Sequence, residues 1–458
     1  MTSKTWLVWV GVAMSAAAIL PVIWLGYSAF PTIDDFPCSL SARDHGLLTS
    51  IMGWYHSWTA RYFAAFLWGI CPLVYNWQEG YQLTPLFIVL FHLLCGYGFF
   101  ALLNPVLPVR PALRWVLSLT WVGLYISAAP SLPQSFYYYN GAVCYQPACA
   151  LTLLALAGFV RLWHMDIKSC IQNPVPFVVL CGSIVLIVGS NEASMLAISL
   201  LSAAFWLSHI GFKKKLSWAY TLSTLVNLVW VAVVIFSPAT RNRMNLSGSH
   251  KRSLDFIATS GIRYIGEQVA DWFTNPWFLT LSFLLVALMV AYQIRISDKH
   301  FWLLIITGIG IYFLMHIPSF LGEGMVQGRT ANTFYFVWML VWILVLNRYF
   351  ERLWPLVLVA GLAFFLWPSA RKYNLSVIYS DIFSGTAAAH QAEFKVRMQL
   401  IEASPADTVY VPRYRHLPGS SYLSDIREYE GGDYYDQFYA RMYGKKWIDF
   451  IDNKPVKK

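Results

Sequence analysis

Residues 6–27 read WLVWVGVAMSAAAILPVIWLGY, a run of 22 residues without a charged side chain. A cleaved signal peptide has an apolar core of only about 7–15 residues, whereas about 20 apolar residues cross a bilayer as a helix. This stretch, which follows the single basic residue Lys4, therefore predicts a retained membrane-spanning helix. It is the first of the predicted membrane spans, and the later spans are numbered after it.

The composition of the whole chain is that of a membrane protein. Of its 458 residues, 57% are hydrophobic and only 12% are charged, whereas soluble domains have roughly 25% charged residues. This excludes a cytosolic enzyme, a disordered protein and a fibrous protein. The net charge of +10 does not indicate a nucleic-acid partner, because no basic block exceeds Lys213, Lys214 and Lys215. We interpret the positive charge as a signal of membrane topology.

Ten further runs have the length and composition of membrane spans. With the first run they predict eleven spans, at residues 6–27, 81–103, 112–130, 143–163, 175–189, 193–210, 216–236, 276–294, 300–317, 331–346 and 353–367. A shorter run at residues 62–75 is apolar for only about 14 residues, which favours an interfacial or re-entrant helix.

The distribution of basic residues predicts the orientation of these spans in the membrane. If residues 62–75 do not cross, the basic loops fall on one side together with Lys4, whereas the short connections 131–142 and 190–192 carry no Lys or Arg. The positive-inside rule then places the N-terminus in the cytoplasm and the C-terminus outside. The loops on the cytoplasmic side contain Arg110 and Arg114, Arg161 and Lys168, Lys213 to Lys215, Arg295 and Lys299, and Arg348 and Arg352.

Three segments on the predicted outer side are large: loop 28–80, loop 237–275 and the tail 369–458. The tail has a water-soluble composition and predicts a helix near residues 386–403 and a short strand at Thr408–Val411. The sequence thus predicts an all-α polytopic membrane domain at residues 1–368 with helices lying along its outer surface. A small soluble α/β domain at residues 369–458 follows it.

Loop 28–80 has the densest chemistry. Asp34 and Asp35 follow the first span by about seven residues. Two adjacent carboxylates at a membrane surface are costly unless they are hydrated, paired or bound to a cation, and repulsion with partial burial raises one pKa, which suits a general base. A solvated turn explains the pair equally well without any function. Further on, Ser41 and Asp44 have capping-box spacing and predict the start of a short helix.

These residues resemble a known family. Asp34-Asp35-Phe36, followed by Tyr55-His-Ser-Trp58-Thr-Ala-Arg61-Tyr62, resembles the DDF…Y..W.GRY pattern of bacterial GT-C-like membrane proteins. Their layout is similar to that of serotype-converting O-antigen glucosyltransferases. Thr59-Ala60 departs from the small residue or glycine that usually precedes the arginine. Weaker similarities occur at residues 141–147, 189–192, 237–241, 328–330 and 390–444.

The resemblance implies a GT-C bundle in a bacterial inner membrane, with the tail in the periplasm. It also implies an inverting sugar transfer from a polyprenyl-phosphate donor to a hydroxyl group of an envelope glycan or lipid acceptor. Such a reaction needs a carboxylate to take the acceptor proton and cationic groups to hold the leaving phosphate. By the resemblance, Asp34 is the favoured base, and Asp35 orients it or helps to bind a divalent cation such as Mg²⁺ or Mn²⁺.

Four arginines are candidates for binding the donor phosphate. Arg61 is placed to contact the phosphate, to pair with the two aspartates, or to reach lipid headgroups. Arg241 and Arg243 follow a Ser-Pro turn at i, i+2 and predict a bidentate clamp, although a nonspecific basic loop explains them equally well. Arg329 is a further phosphate contact.

Four residues are candidates for binding the sugar. Glu192 lies in a short outer connection next to hydrocarbon, where an ionisable group is a functional candidate by default. It is a candidate for binding hydroxyl groups or for sharing a cation with the aspartates. Tyr138 and Asn140 belong to an aromatic stretch that suits stacking on a sugar or an aromatic membrane belt. Glu323 lies on a turn flanked by glycines.

Two other functions compete with glycosyl transfer. A transporter or flippase of lipid-linked saccharides would place ionisable residues near the membrane midplane and often shows repeated halves. This chain has its acids at an edge and shows no repeat. An O-antigen ligase or polymerase would also use a lipid-linked sugar, but would not be expected to centre on two aspartates after the first span.

Overall fold

The computed structural model describes residues 3–246, 254–294, 298–322, 326–366, 373–425, 428 and 432–453. Regular structure in these ranges is almost entirely α-helical, as the sequence predicts. Each of the eleven apolar runs coincides with a helix to within a few residues. The apolar pattern therefore locates the helices correctly.

The first helix leads into a group of short helices that form loop 28–80. The first of these begins at Asp35 rather than at Ser41, so the capping-box prediction is wrong. The apolar run at residues 62–75 is broken by Pro72, since proline has no backbone N–H to donate. In chain order the helices are α1 (Ser3–Trp24), α2 (Asp35–His45), α3 (Leu47–Ser57), α4 (Tyr62–Gly69) and α5 (Gln78–Gln82).

Among the next seven helices, α8 is central and packs against α4, α6 and α10. Alanine and glycine are frequent along α8 and allow close approach of its neighbours. At Gly158, for example, a Cβ atom would lie 2.9 Å from the Cβ of Leu180 in α10. The helices are α6 (Thr84–Leu103), α7 (Pro111–Ala128), α8 (Tyr139–Trp163), α9 (Ile167–Gln172), α10 (Val175–Val188), α11 (Glu192–Lys213) and α12 (Trp218–Ile235).

Six further helices complete the bundle. They are α13 (Pro238–Leu246), α14 (Leu254–Phe273), α15 (Pro276–Ala291), α16 (Asp298–Gly322), α17 (Gly328–Arg348) and α18 (Phe350–Leu366). Within the described ranges, six helices are long and apolar enough to cross a membrane, or seven if α14 and α15, bent by 70°, form one span. The chain is thus a helical, multi-pass membrane protein by length and composition, and the count of eleven spans remains a prediction.

The tail contains both elements predicted for it. After α19 (Asn374–Phe383) come α20 (Thr386–Ala403), β1 (Thr408–Val411), α21 (Gly432–Met442) and β2 (Trp447–Phe450), and the two strands pair in parallel. The tail packs on loop 28–80. Phe394 of α20 stacks on Phe30 with ring centroids 3.7 Å apart, and the Ser421 and Ser28 hydroxyls are 3.0 Å apart.

Candidate active site beside the first loop

A strained turn between α1 and α2 carries the two aspartates. Ile33 has a φ of 46°, a left-handed conformation that is costly for a β-branched side chain. Such strain persists only where the surrounding structure over-determines it, and it is often found at functional sites. The turn places Asp34 immediately before α2 and Asp35 in its first turn.

Asp35 is fully buried and satisfied by three donors. The Thr32 N–H and the Tyr81 hydroxyl donate to Oδ2 over 3.1 and 2.7 Å, and the Asn140 N–H donates to Oδ1 over 3.0 Å. The Asn140 amide belongs to the first turn of α8, where backbone N–H groups lack intrahelical partners. Burial raises the pKa of Asp35 to about 7, although the three hydrogen bonds oppose the shift. Asp35 therefore ties the first loop to α8.

Asp34, in contrast, is open to solvent, with 38% of its side chain exposed. The Tyr138 hydroxyl donates to its Oδ2 over 2.6 Å, and Asn140 Nδ2 donates to its backbone oxygen over 2.7 Å. Arg329 Nη1 lies 3.9 Å from the same Oδ2. Asp34 is thus the member of the pair that a substrate can reach.

Arg329 is held in place at the start of α17. Its N–H donates to Gln134 Oε1 over 2.6 Å, and its Nε donates to Gln327 Oε1 over 2.8 Å. These bonds use the backbone and one side of the guanidinium group, while Nη1 points toward Asp34. Arg329 thus lies beside Asp34, and its predicted contact with a donor phosphate stays a prediction.

A second charged cluster forms around Glu192, the first residue of α11. Arg61 Nε donates to Glu192 Oε2 over 2.9 Å, and Arg243 Nη1 lies 3.2 Å from Oε1. Only 17% of the Arg61 side chain is exposed. Burial lowers the pKa of Arg61, but the nearby Glu192 carboxylate raises it by more, so the pKa of Arg61 stays above its ordinary value. Arg243 also lies 5.8 Å above the Trp58 ring.

The backbone of α4 holds Arg61 against Glu192. The Phe63 and Ala64 N–H groups at the start of α4 both donate to the Gly189 carbonyl, over 2.9 and 3.1 Å. A Cβ atom at Gly189 would lie 2.3 Å from the Tyr62 ring, so glycine allows this contact. Arg61, one residue before α4, therefore meets the connection that leads to α11.

Two side chains of α8 join the clusters. Cys144 Sγ lies 3.7 Å from Arg61 Nη1, and the Tyr145 hydroxyl lies 3.4 Å from Thr330 Oγ1, next to Arg329. Both side chains are close enough to Arg61, Arg329 and Glu192 to interact electrostatically with them. The surface formed by Asp34, Arg329, Arg61, Glu192 and Arg243 is the polar site. It has three guanidinium groups for two accessible carboxylates.

Some expected pairings are wrong. Arg61 contacts Glu192 rather than the aspartates. Arg241 and Arg243 lie on helix α13, where side chains at i and i+2 do not face each other. Arg243 binds Glu192 while Arg241 is exposed, so they do not form a bidentate clamp.

The predicted sugar-binding residues have different roles. Tyr138 and Asn140 are 3% and 4% exposed, so neither offers a face for stacking or belongs to a lipid-facing belt. Instead they hold the two aspartates. Glu323 lies outside the described residues. Among the side chains described, no group of three His, Cys, Asp or Glu is placed to hold a metal ion, and Glu192 contacts arginines rather than the aspartates. We assign no cation to these residues.

Sequence reasoning missed the residues that hold the site together. Tyr81 and Gln134 contact Asp35 and Arg329, which lie 46 and 195 residues away in the chain, whereas Gln327 accepts from Arg329 only two residues further on. None belongs to a motif, so only the tertiary structure identifies them.

The site offers a fixed, accessible carboxylate and an excess of guanidinium groups at one end of an apolar helix bundle. A carboxylate accepts a proton from a hydroxyl group, and arginines bind phosphate through paired N–H donors. The arrangement therefore suits a reaction between a hydroxyl group and a lipid-borne phosphoester. No family model, curated protein or solved structure matches the chain.

Proposed function

We propose that this chain is an inverting glycosyltransferase of a bacterial inner membrane. It moves a sugar from a polyprenyl-phosphate donor to a hydroxyl group of an envelope glycan or lipid. The observation that carries the proposal is the position of Asp34, an exposed carboxylate beside Arg329 on a surface with excess positive charge. In this proposal the chain crosses the membrane eleven times, with its N-terminus in the cytoplasm and the polar site and tail on the outer face.

The reaction is a single displacement at the anomeric carbon of the donor sugar. Asp34 takes the proton of the acceptor hydroxyl as its oxygen forms a bond to that carbon. The bond between the carbon and the phosphate oxygen breaks, and the electron pair leaves with polyprenyl phosphate. Arg329 and Arg61 stabilise the negative charge of this leaving group. The proton on Asp34 then passes to solvent.

The neighbours of Asp34 fix its position. Tyr138 donates to the carboxylate, and Asn140 holds both the Asp34 backbone oxygen and the Asp35 side chain. Such positioning matters because the effective concentration of a reacting group depends strongly on its orientation. We therefore treat Tyr138 and Asp35 as positioning residues.

Envelope glycans of the source strain provide a test that does not require the sugar to be known. The gene is deleted, and the strain is complemented with the wild type, with Asp34→Asn, or with Asp407→Asn as an exposed control. We expect the deletion strain to lose the mass of one monosaccharide unit from an envelope glycan or lipid. The wild type and Asp407→Asn restore this mass in mass spectrometry, and Asp34→Asn does not.

Membrane abundance of each variant is measured by immunoblotting, so that loss of function is separated from loss of protein. Full restoration by Asp34→Asn at normal abundance would contradict the proposed mechanism. Loss of an entire repeating unit in the deletion strain, rather than one sugar, would favour the transport alternative.

A further inference from the structure

A groove lined by both amide and apolar side chains lies between loop 28–80 and the tail, apart from the charged residues of the polar site. Its volume is about 620 Å³, within the range of about 300–1,000 Å³ that small-molecule sites occupy. We refer to it as the tail groove. One wall is formed by residues 73–82 of the loop together with Arg43, and the other by α20 with Met442 and Tyr443 at the end of α21.

The tail wall is one face of α20. Its polar residues are spaced at i, i+4, i+8 and i+11, so their side chains lie along one side of the helix. These residues are Gln391, Lys395, Gln399 and Glu402. The opposite side faces the interior of the tail, where Arg397 is buried. The polar face of α20 therefore borders the groove, together with Phe394 and Met398 of the same helix.

The loop wall contains polar atoms that are buried without a partner. Gln78 Nε2 and Arg43 Nε have no hydrogen-bond partner among the residues that the structure describes. Arg43 is nevertheless fixed, since its Nη2 donates to the Leu73 carbonyl over 2.6 Å. Both atoms lie below the accessible surface of the groove wall, where a donor without an acceptor costs about 1–3 kcal/mol. Rotation of either side chain toward the groove would let it donate to a ligand that accepts hydrogen bonds.

The chemistry of the lining indicates the ligand class. Amide side chains offer both donors and acceptors, which match the hydroxyl groups of a sugar. The ionised side chains, Arg43 and Lys395 against Glu79 and Glu402, balance in charge, so the groove has no excess charge to attract a phosphate or a nucleic acid. The amides of the lining are Asn76, Gln78, Gln82, Gln391 and Gln399.

The tail groove shares two lining residues with a second cavity that borders the turn preceding Asp34. The stacked pair Phe30 and Phe394 lines both the groove and this second cavity. That cavity is also lined by Ile33 and Tyr138, the neighbours of Asp34 in the chain and in space. The second cavity is small, about 60 Å³, and Asp34 itself lines neither cavity. A chain-like ligand in the groove therefore has one end at the two phenylalanines, next to the turn that carries the carboxylate.

We infer that the tail groove binds an uncharged oligosaccharide, the acceptor whose terminal hydroxyl group Asp34 deprotonates. The inference rests on the proposed function and specifies its acceptor. The amides bind the hydroxyl groups of successive sugar units, and the aromatic pair packs against a sugar ring near the reacting end.

Binding to the purified, full-length protein in nanodiscs tests the inference. The probe is a set of fluorescently labelled neutral oligosaccharides released from the envelope polysaccharide of the source strain, followed by fluorescence anisotropy. We expect the double variant Gln391→Ala/Gln399→Ala to bind at least tenfold more weakly than the wild type. Gln437→Ala, an exposed glutamine of α21 that lines neither cavity, binds as the wild type does. Thermal unfolding confirms that each variant is folded.

Asp34→Asn separates the two proposals, because it should bind the oligosaccharides normally yet fail to restore the glycan. Wild-type protein that binds no oligosaccharide of the set at millimolar concentration would overturn the groove assignment, as would equal binding by the double variant. If Asp34→Asn still fails to restore the glycan in that case, the proposed function stands. If Asp34→Asn restores the glycan normally while the double variant binds weakly, the groove assignment stands and the proposed function fails.

Discussion

The substitution Asp35→Asn should destabilise the folded protein at acidic pH and stabilise it at alkaline pH. The Asp35 carboxylate accepts from the Thr32 N–H and the Tyr81 hydroxyl on one oxygen and from the Asn140 N–H on the other. Asparagine keeps one oxygen, so in either orientation of its amide one backbone N–H faces an NH₂ group. A buried N–H without an acceptor costs about 1–3 kcal/mol. The variant should therefore be less stable than the wild type at low pH.

Ionisation of the buried Asp35 destabilises the wild type at high pH, which favours the variant there. Its pKa is raised from 3.8 to about 7 in the folded protein, mainly by burial. The folded state then binds the proton more tightly than the unfolded state, so the stability linked to this group is complete below pH 3.8 and is lost as the pH rises to 7. The loss amounts to about 4 kcal/mol. Asparagine does not ionise, so above pH 7 the variant should be more stable by about 1–3 kcal/mol.

Thermal unfolding of the purified protein in detergent, followed by tryptophan fluorescence between pH 4.5 and 8.5, measures this difference. We expect the curves of unfolding midpoint against pH for the wild type and Asp35→Asn to cross. An exposed control, Glu267→Gln, should follow the wild type throughout. Midpoints of Asp35→Asn that run parallel to the wild type at every pH would refute the assignment of a buried, proton-binding Asp35.

Three further predictions concern the polar site and the tail. Glu192→Gln removes the carboxylate between two arginines and should lower the free energy of unfolding, measured by denaturant titration, by about 1 kcal/mol. The loss is small because the ion pair between Arg61 and Glu192 is partly exposed. The exposed Glu267→Gln should cause no measurable change. Arg397→Met removes the buried guanidinium group that donates to the Asp425 carboxylate over 2.6 and 2.8 Å and should cost about 3–5 kcal/mol, measured as faster proteolysis of the tail; wild-type cleavage rates would argue against it. Tyr138→Phe removes the hydrogen bond to Asp34 and should lower kcat at least tenfold with an unchanged KM for the donor; a change in KM alone would contradict a positioning role.

The sequence predicts the helices well because hydrophobic burial is a local signal. A run of about 20 apolar residues has few alternatives to a helix in a membrane, since its backbone groups must be satisfied within the segment. The predicted span 143–163 lies within α8 (Tyr139–Trp163), and the tail helix predicted near residues 386–403 is α20 (Thr386–Ala403). The number of spans is harder to predict, because several of these helices are short.

Helix starts in polar segments were predicted less well. The motif at Ser41 has capping spacing, yet α2 already begins at Asp35, because the turn at Ile33 and the hydrogen bond from Thr32 start the helix earlier. Pro238 was interpreted as part of a turn. It is instead the first residue of α13, a position that proline favours because its missing N–H has no helical partner there.

The site was predicted in part. Asp34, Arg61, Glu192, Arg243 and Arg329 do come together on one surface, as expected for residues at one end of the bundle. Their pairing was not predictable, because it depends on contacts between positions far apart in the chain. Arg61 and Glu192 are 131 residues apart, and their contact depends on the Gly189 carbonyl, which accepts from the start of α4. No periodicity or motif encodes such a contact.

The two aspartates show most clearly what the structure adds. They are the same residue type at adjacent positions, and the sequence favours Asp34 as the base only by the resemblance. Successive residues at a helix start point in different directions, and the strained backbone at Ile33 directs Asp35 inward and leaves Asp34 accessible. A substrate that reached Asp35 would have to displace Tyr81 and two backbone donors, whereas Asp34 already faces Arg329. Burial raises the pKa of Asp35 to about 7, so at pH values below 7 its carboxyl group is mostly protonated and repels the Asp34 carboxylate less. For these reasons the outer aspartate is the group expected to meet the acceptor hydroxyl.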